Sequence, residues 1–317
     1  MYGRVNGVTV VGVQGHLVAV EAHIGRGLPA LSLTGLPGAT VQDARERVRP
    51  AVESSGFEWP LRRVVVNLSP VNLRKEGPGL DLPIAMGVLA ASAQVPSNRL
   101  GGYVLSGELS LRGTLMPTPG ILAVAIAAAK AGKEGVVVPE ANGGEAALVE
   151  GLRVVPAPSL ARAVEFLKGA WQPELVAPAE SERVPGADVD LSEVRGQAQA
   201  RRALEVAAAG GHNLVLIGSP GAGKTMLARR LPTILPAMTR DEALEVTRLH
   251  SVAGLLGGGT GFVRPGEVSL AHYNIHTCSL ELLADEGGHL LPPIGRSGSR
   301  AWRTEPGRPG RALRPGR

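Results

Sequence analysis

Eight consecutive residues carry the clearest chemistry in this chain: Gly218, Ser219, Pro220, Gly221, Ala222, Gly223, Lys224 and Thr225. They satisfy the spacing G-x-x-x-x-G-K-[ST] at every fixed position. Phosphate binding asks for these residue types. Glycines let backbone N–H groups come close to an anion, a lysine reaches the outer phosphates, and a hydroxyl takes a place on Mg²⁺. The stretch from Gly218 to Met226 is therefore the predicted nucleotide-binding loop, with Lys224 on the β/γ-phosphates and Thr225 on the metal. ATP and Mg²⁺ are the expected cofactors.

Such a loop works only when a strand delivers it and a helix leaves it, so that donors and the positive helix end converge on one spot. Asn213 to Ile217 is an apolar run of buried-strand type, and Met226 to Leu231 is compatible with a helix. Upstream, Gln197 to Ala209 reads as a helix leading into that strand. Downstream, Glu242 to Leu249 reads as another, with Asp241 and Glu242 suited to its positive end.

The first half of the chain shows repeated β–α alternation. Gly7 to Val13 and Leu17 to His23 read as strands. A helix follows, with Thr40 as expected cap, Asp43 three residues on, and Val41, Ala44, Val48 and Val52 as its apolar stripe. Arg45, Glu46, Arg47 and Arg49 are expected to face water, and Pro50 to kink or end the helix. Then come a strand at Arg63–Leu68, a polar glycine loop at Arg74–Gly79, and a helix at Asp81–Ala93. Strands near Tyr103–Leu105, Val136–Val138 and Val154 alternate with helices at Ile121–Ala131, Glu145–Glu150 and Leu160–Lys168. Aliphatic strands alternating with helices mean an α/β or α+β domain.

Composition narrows the function. The 317 residues suggest about two domains. Aromatic residues are 3% of the chain, which leaves little for base-stacking platforms, and a single cysteine, Cys278, excludes an internal disulfide. No signal-peptide core opens the sequence, and the longest apolar run, Ile121 to Ala129, is too short to span a bilayer. A cytoplasmic protein without a membrane partner is expected. The formal net charge is +5, but Arg296 to Arg317 holds seven arginines and one acid. Removing that net +6 leaves residues 1–295 at −1, so charge alone gives no ground for nucleic-acid binding. His250, His272, His276 and His289 lack zinc-ligand spacing.

Asp190 to Gln197, followed by Gly210 to Ala228, resembles the AAA+ module of magnesium-chelatase-like ATPases. The first half resembles one branch of that family, the YifB/ComM proteins. The matching stretches are Leu36-Pro37, Ala44–Arg49, Val66–Pro70, Leu73–Gly77, Asp81–Ala85 and Ser106–Ser110. The resemblance covers roughly residues 1–256. It implies an α/β protein whose 1–170 region folds like the Lon peptidase domain (an α+β fold of the ribosomal protein S5 domain 2 type). A linker at 171–188, a partial P-loop AAA+ domain at 189–294 and a disordered basic tail at 295–317 would follow. It also implies a homo-oligomeric ring and, in the ComM branch, a motor that migrates branched DNA in recombination and natural transformation. Two other readings stand beside it: a magnesium chelatase motor subunit, and a non-catalytic nucleotide-binding adaptor.

Two departures from the family pattern shape what this chain can do. In Lon-type sequences a nucleophilic serine follows a loop like Lys75–Pro78, and a lysine lies early in the helix before the Val136 strand. Here those places hold Gly79 and Leu122, so the resemblance implies a domain without peptidase chemistry. Lys75, Ser69 and Ser92 are expected to be surface, turn and helix residues. The second departure concerns hydrolysis, which needs a strand ending in Asp-Glu to hold Mg²⁺ and polarise water. Asp285 and Glu286 are the nearest candidates, six residues later than the family spacing. The sensor, arginine-finger and lid segments have no counterpart, and the Arg/Pro/Gly tail is what a shifted frame in GC-rich DNA encodes. The sequence thus reads as a truncated or frameshifted copy after about residue 256, and predicts ATP binding with hydrolysis disrupted.

Overall fold

The computed structural model describes residues 1–174, 176, 189–212, 214–219, 221–256 and 261–263, with the backbone alone at 280–282. The chain divides into two compact units, Met1–Pro185 with Ala237–Glu267 and Gly186–Pro236 with Val268–Arg317. Both mix strands and helices, and the chain has an α/β fold.

The first unit opens with a long hairpin, β1 (Tyr2–Val11) and β2 (Gln14–Gly25), followed by β3 (Ala30–Thr34). A short helix α1 (Ala39–Gln42) breaks at Asp43 into α2 (Ala44–Ser54). Then come β4 (Arg63–Ser69), α3 (Asp81–Ala91), β5 (Tyr103–Leu105) and a two-residue pair, β6 (Glu108–Leu109) with β7 (Leu115–Met116). The unit continues through α4 (Ile121–Lys130), β8 (Gly135–Pro139), α5 (Gly143–Ala146), β9 (Arg153–Ala157) and α6 (Leu160–Lys168). Seven strands form one sheet in the order β3-β4-β2-β1-β5-β8-β9. The β1–β2 and β2–β4 pairs are antiparallel, and the other four pairs are parallel.

Alternation along the strands splits the core between the two sheet faces. Val5, Val18, Val20, Ala22, Val64 and Val66 pack with α2, α3 and α6, whereas Val8, Val104, Val136 and Val138 pack with α4 and α5. Two glycines permit this closeness. A Cβ on Gly3 would lie 2.6 Å from Gly87 O of α3, and one on Gly15 would lie 2.4 Å from Ala123 O of α4. Every residue of α3 is buried, because the sheet lies on one side and α2 and β6 on others. An all-apolar helix is stable only when enclosed in this way.

The expected stripe of α2 is buried as the periodicity requires, and Pro50 sits inside the helix. Its entry differs from expectation. Gly38 precedes α1 without a side-chain cap, Thr40 lies within α1, and the break at Asp43 replaces the single capped helix. The expected Glu145–Glu150 helix is the shorter α5, which ends at Ala146.

In the second unit, a 3₁₀ turn (Leu191–Glu193) precedes α7 (Ala198–Gly210), β10 (Leu214–Leu216), α8 (Lys224–Ala228) and a second 3₁₀ turn (Leu231–Ile234). Leu191, Val194, Leu204, Ala207, Leu227 and Leu231 form its small core. The next helix, α9 (Arg240–Val252), begins with a capping box between Thr239 and Glu242. The sequence reading assigned this stretch to the 189–294 domain, but the helix packs on α4 of the first unit. The last described element, β11 (Leu280–Leu282), pairs parallel with β10.

Candidate functional site

The glycine loop emerges as the sequence pattern requires. β10 ends at Leu216, Gly218 and Ser219 are exposed, and α8 begins at Lys224. Gly221 and Gly223 hold left-handed conformations, φ +80° and +86°, that side chains other than glycine rarely adopt. Nothing lies within 4 Å of the place a Cβ on Gly221 would occupy, so the loop is open on that side. Lys224 Nζ donates to Gly218 O at 2.8 Å and to Ser219 O at 3.1 Å, which folds the ammonium back across the loop. Gln197, itself at φ +51°, donates from Nε2 to Ala222 O at 3.3 Å and braces the loop from the start of α7. Thr225 is half-buried in the first turn of α8, with Met226 exposed beside it. Pro220 lies outside the described residues.

This geometry fits a nucleotide phosphate chain with Mg²⁺. The residues supply an open glycine loop, one ammonium whose present acceptors are two loop carbonyls, and a hydroxyl next to it. A phosphate oxygen is a stronger acceptor for that ammonium than a neutral carbonyl, because both partners are then charged.

Asp285 and Glu286 lie outside the described residues. The strand ahead of them is described in its backbone: Leu280, Glu281 and Leu282 stand opposite Leu214, Val215 and Leu216. Because the strands are parallel, Leu282 stands at the end of β10 from which the glycine loop departs. Asp285 follows three residues later in the sequence.

The first unit holds polar groups that the sequence reading placed in solvent. Lys75 is 0% exposed rather than on the surface, and its ammonium donates to Gly35 O at 2.8 Å and to Pro70 O. Burial without an acid beside it pulls its pKa below the ordinary lysine value. Together with Lys75 N to Leu36 O and Gly38 N to Lys75 O, this ties the 70–77 loop to the 35–38 loop. Arg47 is no solvated face residue either. Its Nε and Nη2 donate to the two oxygens of Asp81 at 2.8 and 3.0 Å, and Asp81 is 1% exposed. Leu109 N donates to the same carboxylate at 3.2 Å. Burial raises the Asp81 pKa, and the Arg47 hydrogen bonds oppose that rise. The signal was legible in principle: one acid at the head of an otherwise apolar helix needs a cation from a neighbouring element.

Gly79 and Leu122 stand where the family resemblance implies a serine and a lysine. Gly79 O accepts from Gly107 N, and Leu122 N donates to Glu145 Oε1 at 2.8 Å. Glu145 also accepts from Asn142 Nδ2 at 3.0 Å and from the Ser251 hydroxyl of α9, while Gly120 N donates to Ser251 O. A buried carboxylate therefore joins the start of α4 to the end of α9. Among the described residues, no group of three or more His, Cys, Asp or Glu side chains could hold a metal ion. No helix there is long and apolar enough to cross a membrane.

Two family models match the chain, one described as subunit ChlI of Mg-chelatase over residues 20–142 and one as magnesium chelatase, subunit ChlI, over residues 190–257. An uncharacterised protein of Mycobacterium tuberculosis is 42% identical over 299 residues, covering 86% of this chain and 59% of its own length. YifB of Escherichia coli is 41% identical over 290 residues, 84% of this chain and 56% of YifB. The competence protein ComM of Haemophilus influenzae is 40% identical over 289 residues, 82% of this chain and 56% of ComM. The chain thus spans a little under three-fifths of the length of these relatives. A Lon protease of Geobacter metallireducens is 28% identical over 147 residues, 44% of this chain. With both models in chain order and these relatives matched across both units, the chain belongs to the magnesium-chelatase-like family of YifB and ComM.

Proposed function

We propose that this protein is an ATP-binding AAA+ protein of the ComM type, with Mg²⁺ as co-ligand and a Lon-like first domain that lacks peptidase chemistry. The observation that carries it is the loop at residues 218–226, delivered by β10, braced by Gln197 and ended by Lys224 at the start of α8. Residues 218–223 would wrap the phosphates, Lys224 would exchange its two carbonyl acceptors for phosphate oxygens, and Thr225 would hold Mg²⁺. Bound ATP-Mg²⁺ supplies the phosphoryl bond whose cleavage drives motors of this class. The ring assembly, the branched-DNA substrate and the cytoplasmic setting come from family resemblance, supported by the match to a competence protein. The chelatase motor alternative is weakened by the match of both halves to YifB and ComM.

Titration calorimetry tests the binding. ATP-Mg²⁺ is expected to bind the wild-type chain, and Lys224→Ala to weaken it by roughly tenfold or more, since a charge-assisted contact contributes about 1.5–3 kcal/mol. Unchanged affinity in a folded Lys224→Ala protein would overturn the assignment.

Turnover is expected to be negligible, because water activation needs an acid pair and a neighbouring subunit's arginine (worth about 10³–10⁵ in related enzymes). The register of β11 beside β10 favours a second reading, in which Asp285 and Glu286 act as a displaced acid pair. A DNA-stimulated ATPase rate that disappears in Glu286→Gln would establish that reading. No rate in either protein, with binding intact, establishes the first.

A further inference from the structure

The first unit contains a cleft that the nucleotide loop does not explain. Its cavity volume is about 160 Å³, several times the ~30 Å³ share of one water. Val8, Val10, Val124 and Val252 wall it, and Gly79 and Ser106 line it between the 76–79 loop and the start of α4. Ser106 is 1% exposed, and its hydroxyl makes no hydrogen bond to any described residue. The residue lines the cleft, so its hydroxyl, having no partner among the described residues, is available to donate to or accept from whatever occupies that space. Gly79 keeps the approach to it open, because a Cβ there would lie 2.8 Å from Ser106 Oγ.

The backbone beside this hydroxyl is also unfinished. β1 pairs with β2 at all ten of its residues, but with β5 only at Asn6↔Val104. From Val8 to Val11, the edge of β1 opposite β2 has no strand partner among the described residues, and Val8, Val10 and Gly12 of this stretch line the cleft. An open edge presents N–H and C=O groups at strand spacing, which another extended backbone satisfies. Charge selects further. The lining contains one carboxylate, Glu76, and no cation, so phosphates and nucleic acid have nothing to pair with there.

We propose that this cleft binds an extended, uncharged peptide segment, which adds as a strand along Val8–Gly12, places an aliphatic side chain among the four valines and hydrogen-bonds Ser106. The role is binding alone. No nucleophile with a base lies there: Gly79 and Leu122 occupy the relevant positions, and Glu145 is engaged by Leu122, Asn142 and Ser251.

The test uses the full chain and a fluorescein-labelled peptide, capped as Ac-Thr-Leu-Thr-Leu-Thr-amide. Saturable binding is expected, with hydrogen-exchange protection of the amides of Val8–Gly12 and Gly77–Gly79. Alternate N-methylation of the peptide, which deletes the edge hydrogen bonds, is expected to abolish binding. Ser106→Ala, a substitution the fold tolerates on volume, is expected to weaken it about tenfold. Absence of saturable binding to a chain with native exchange protection of β2 would overturn the proposal. So would equal binding of the N-methylated peptide, protection mapped elsewhere, or displacement of the peptide by inorganic phosphate.

Discussion

The two units use the same kind of element, a short aliphatic strand ahead of a helix, and treat its side chains in opposite ways. In β8 of the first unit, Val136, Val137 and Val138 are all 0% exposed. β10 of the second unit reads just as apolar, yet Val215 is 45% exposed and Ile217, directly after it, 84%. The difference lies in the neighbours. β8 has a strand on each side and helices on both faces, whereas β10 has β11 as its one strand neighbour among the described residues. A parallel strand buries both faces only when helices cover both, so the same composition gives a closed core in one place and an open apolar surface in the other.

Polar groups follow the same division. In the first unit charges are sealed in and matched: Arg47 with Asp81, Lys75 with two carbonyls, Glu145 with Ser251. In the second, the Arg202–Glu205 bridge joins two exposed side chains and contributes little, and the mostly buried Arg230 meets an exposed acid, Glu193. The contrast can be broken at its strongest point by Arg47→Met. That substitution leaves Asp81 buried without its cation and is expected to cost the first unit about 3–5 kcal/mol, read from the urea midpoint. A loss under about 1 kcal/mol would mean that water reaches Asp81 and the unit is less sealed than described.

Lys75 sharpens the comparison through pH. Its folded pKa lies below the ordinary lysine value, so between the two the unfolded chain holds more protons. Stability of the first unit is therefore expected to rise with pH across that alkaline window. Lys75→Met removes this slope, and it also lowers stability at neutral pH by orphaning Gly35 O and Pro70 O. Identical pH slopes in the two proteins would show the ammonium to be solvated.

The smallest effect is predicted where the second unit is most open. Ile217→Thr is expected to shift stability by no more than about 0.5 kcal/mol, as for other exposed positions. The matching truncation in the first unit, Leu89→Ala at a fully buried position, is expected to cost about 2–5 kcal/mol. A cost for Ile217→Thr approaching that of Leu89→Ala would mean that the apolar face of β10 is covered in solution.

Much of this protein was determined by local sequence. The glycine loop is legible because its function depends on residue types at fixed spacing, and Gly221 and Gly223 adopt the left-handed turns that spacing implies. β5 and α6 fall on the residues their patterns mark, because a short run of apolar residues and a helix's amphipathic stripe are local properties. Tertiary structure decided whatever depends on which distant segments meet. Arg47 and Asp81 are 34 residues apart; the apolar helix behind Asp81 says that the acid needs a cation, but nothing local says which one. Lys75 reads as surface because lysine usually is, and only the meeting of the 35–38 and 70–77 loops supplies its carbonyls. α9 follows the nucleotide loop in sequence yet packs on the first unit, since Ser251 finds Glu145, 106 residues away. The open edge of β1 could not be read at all. Whether a strand is flanked is a property of the sheet, and the residues of β1 are the same with or without a neighbour.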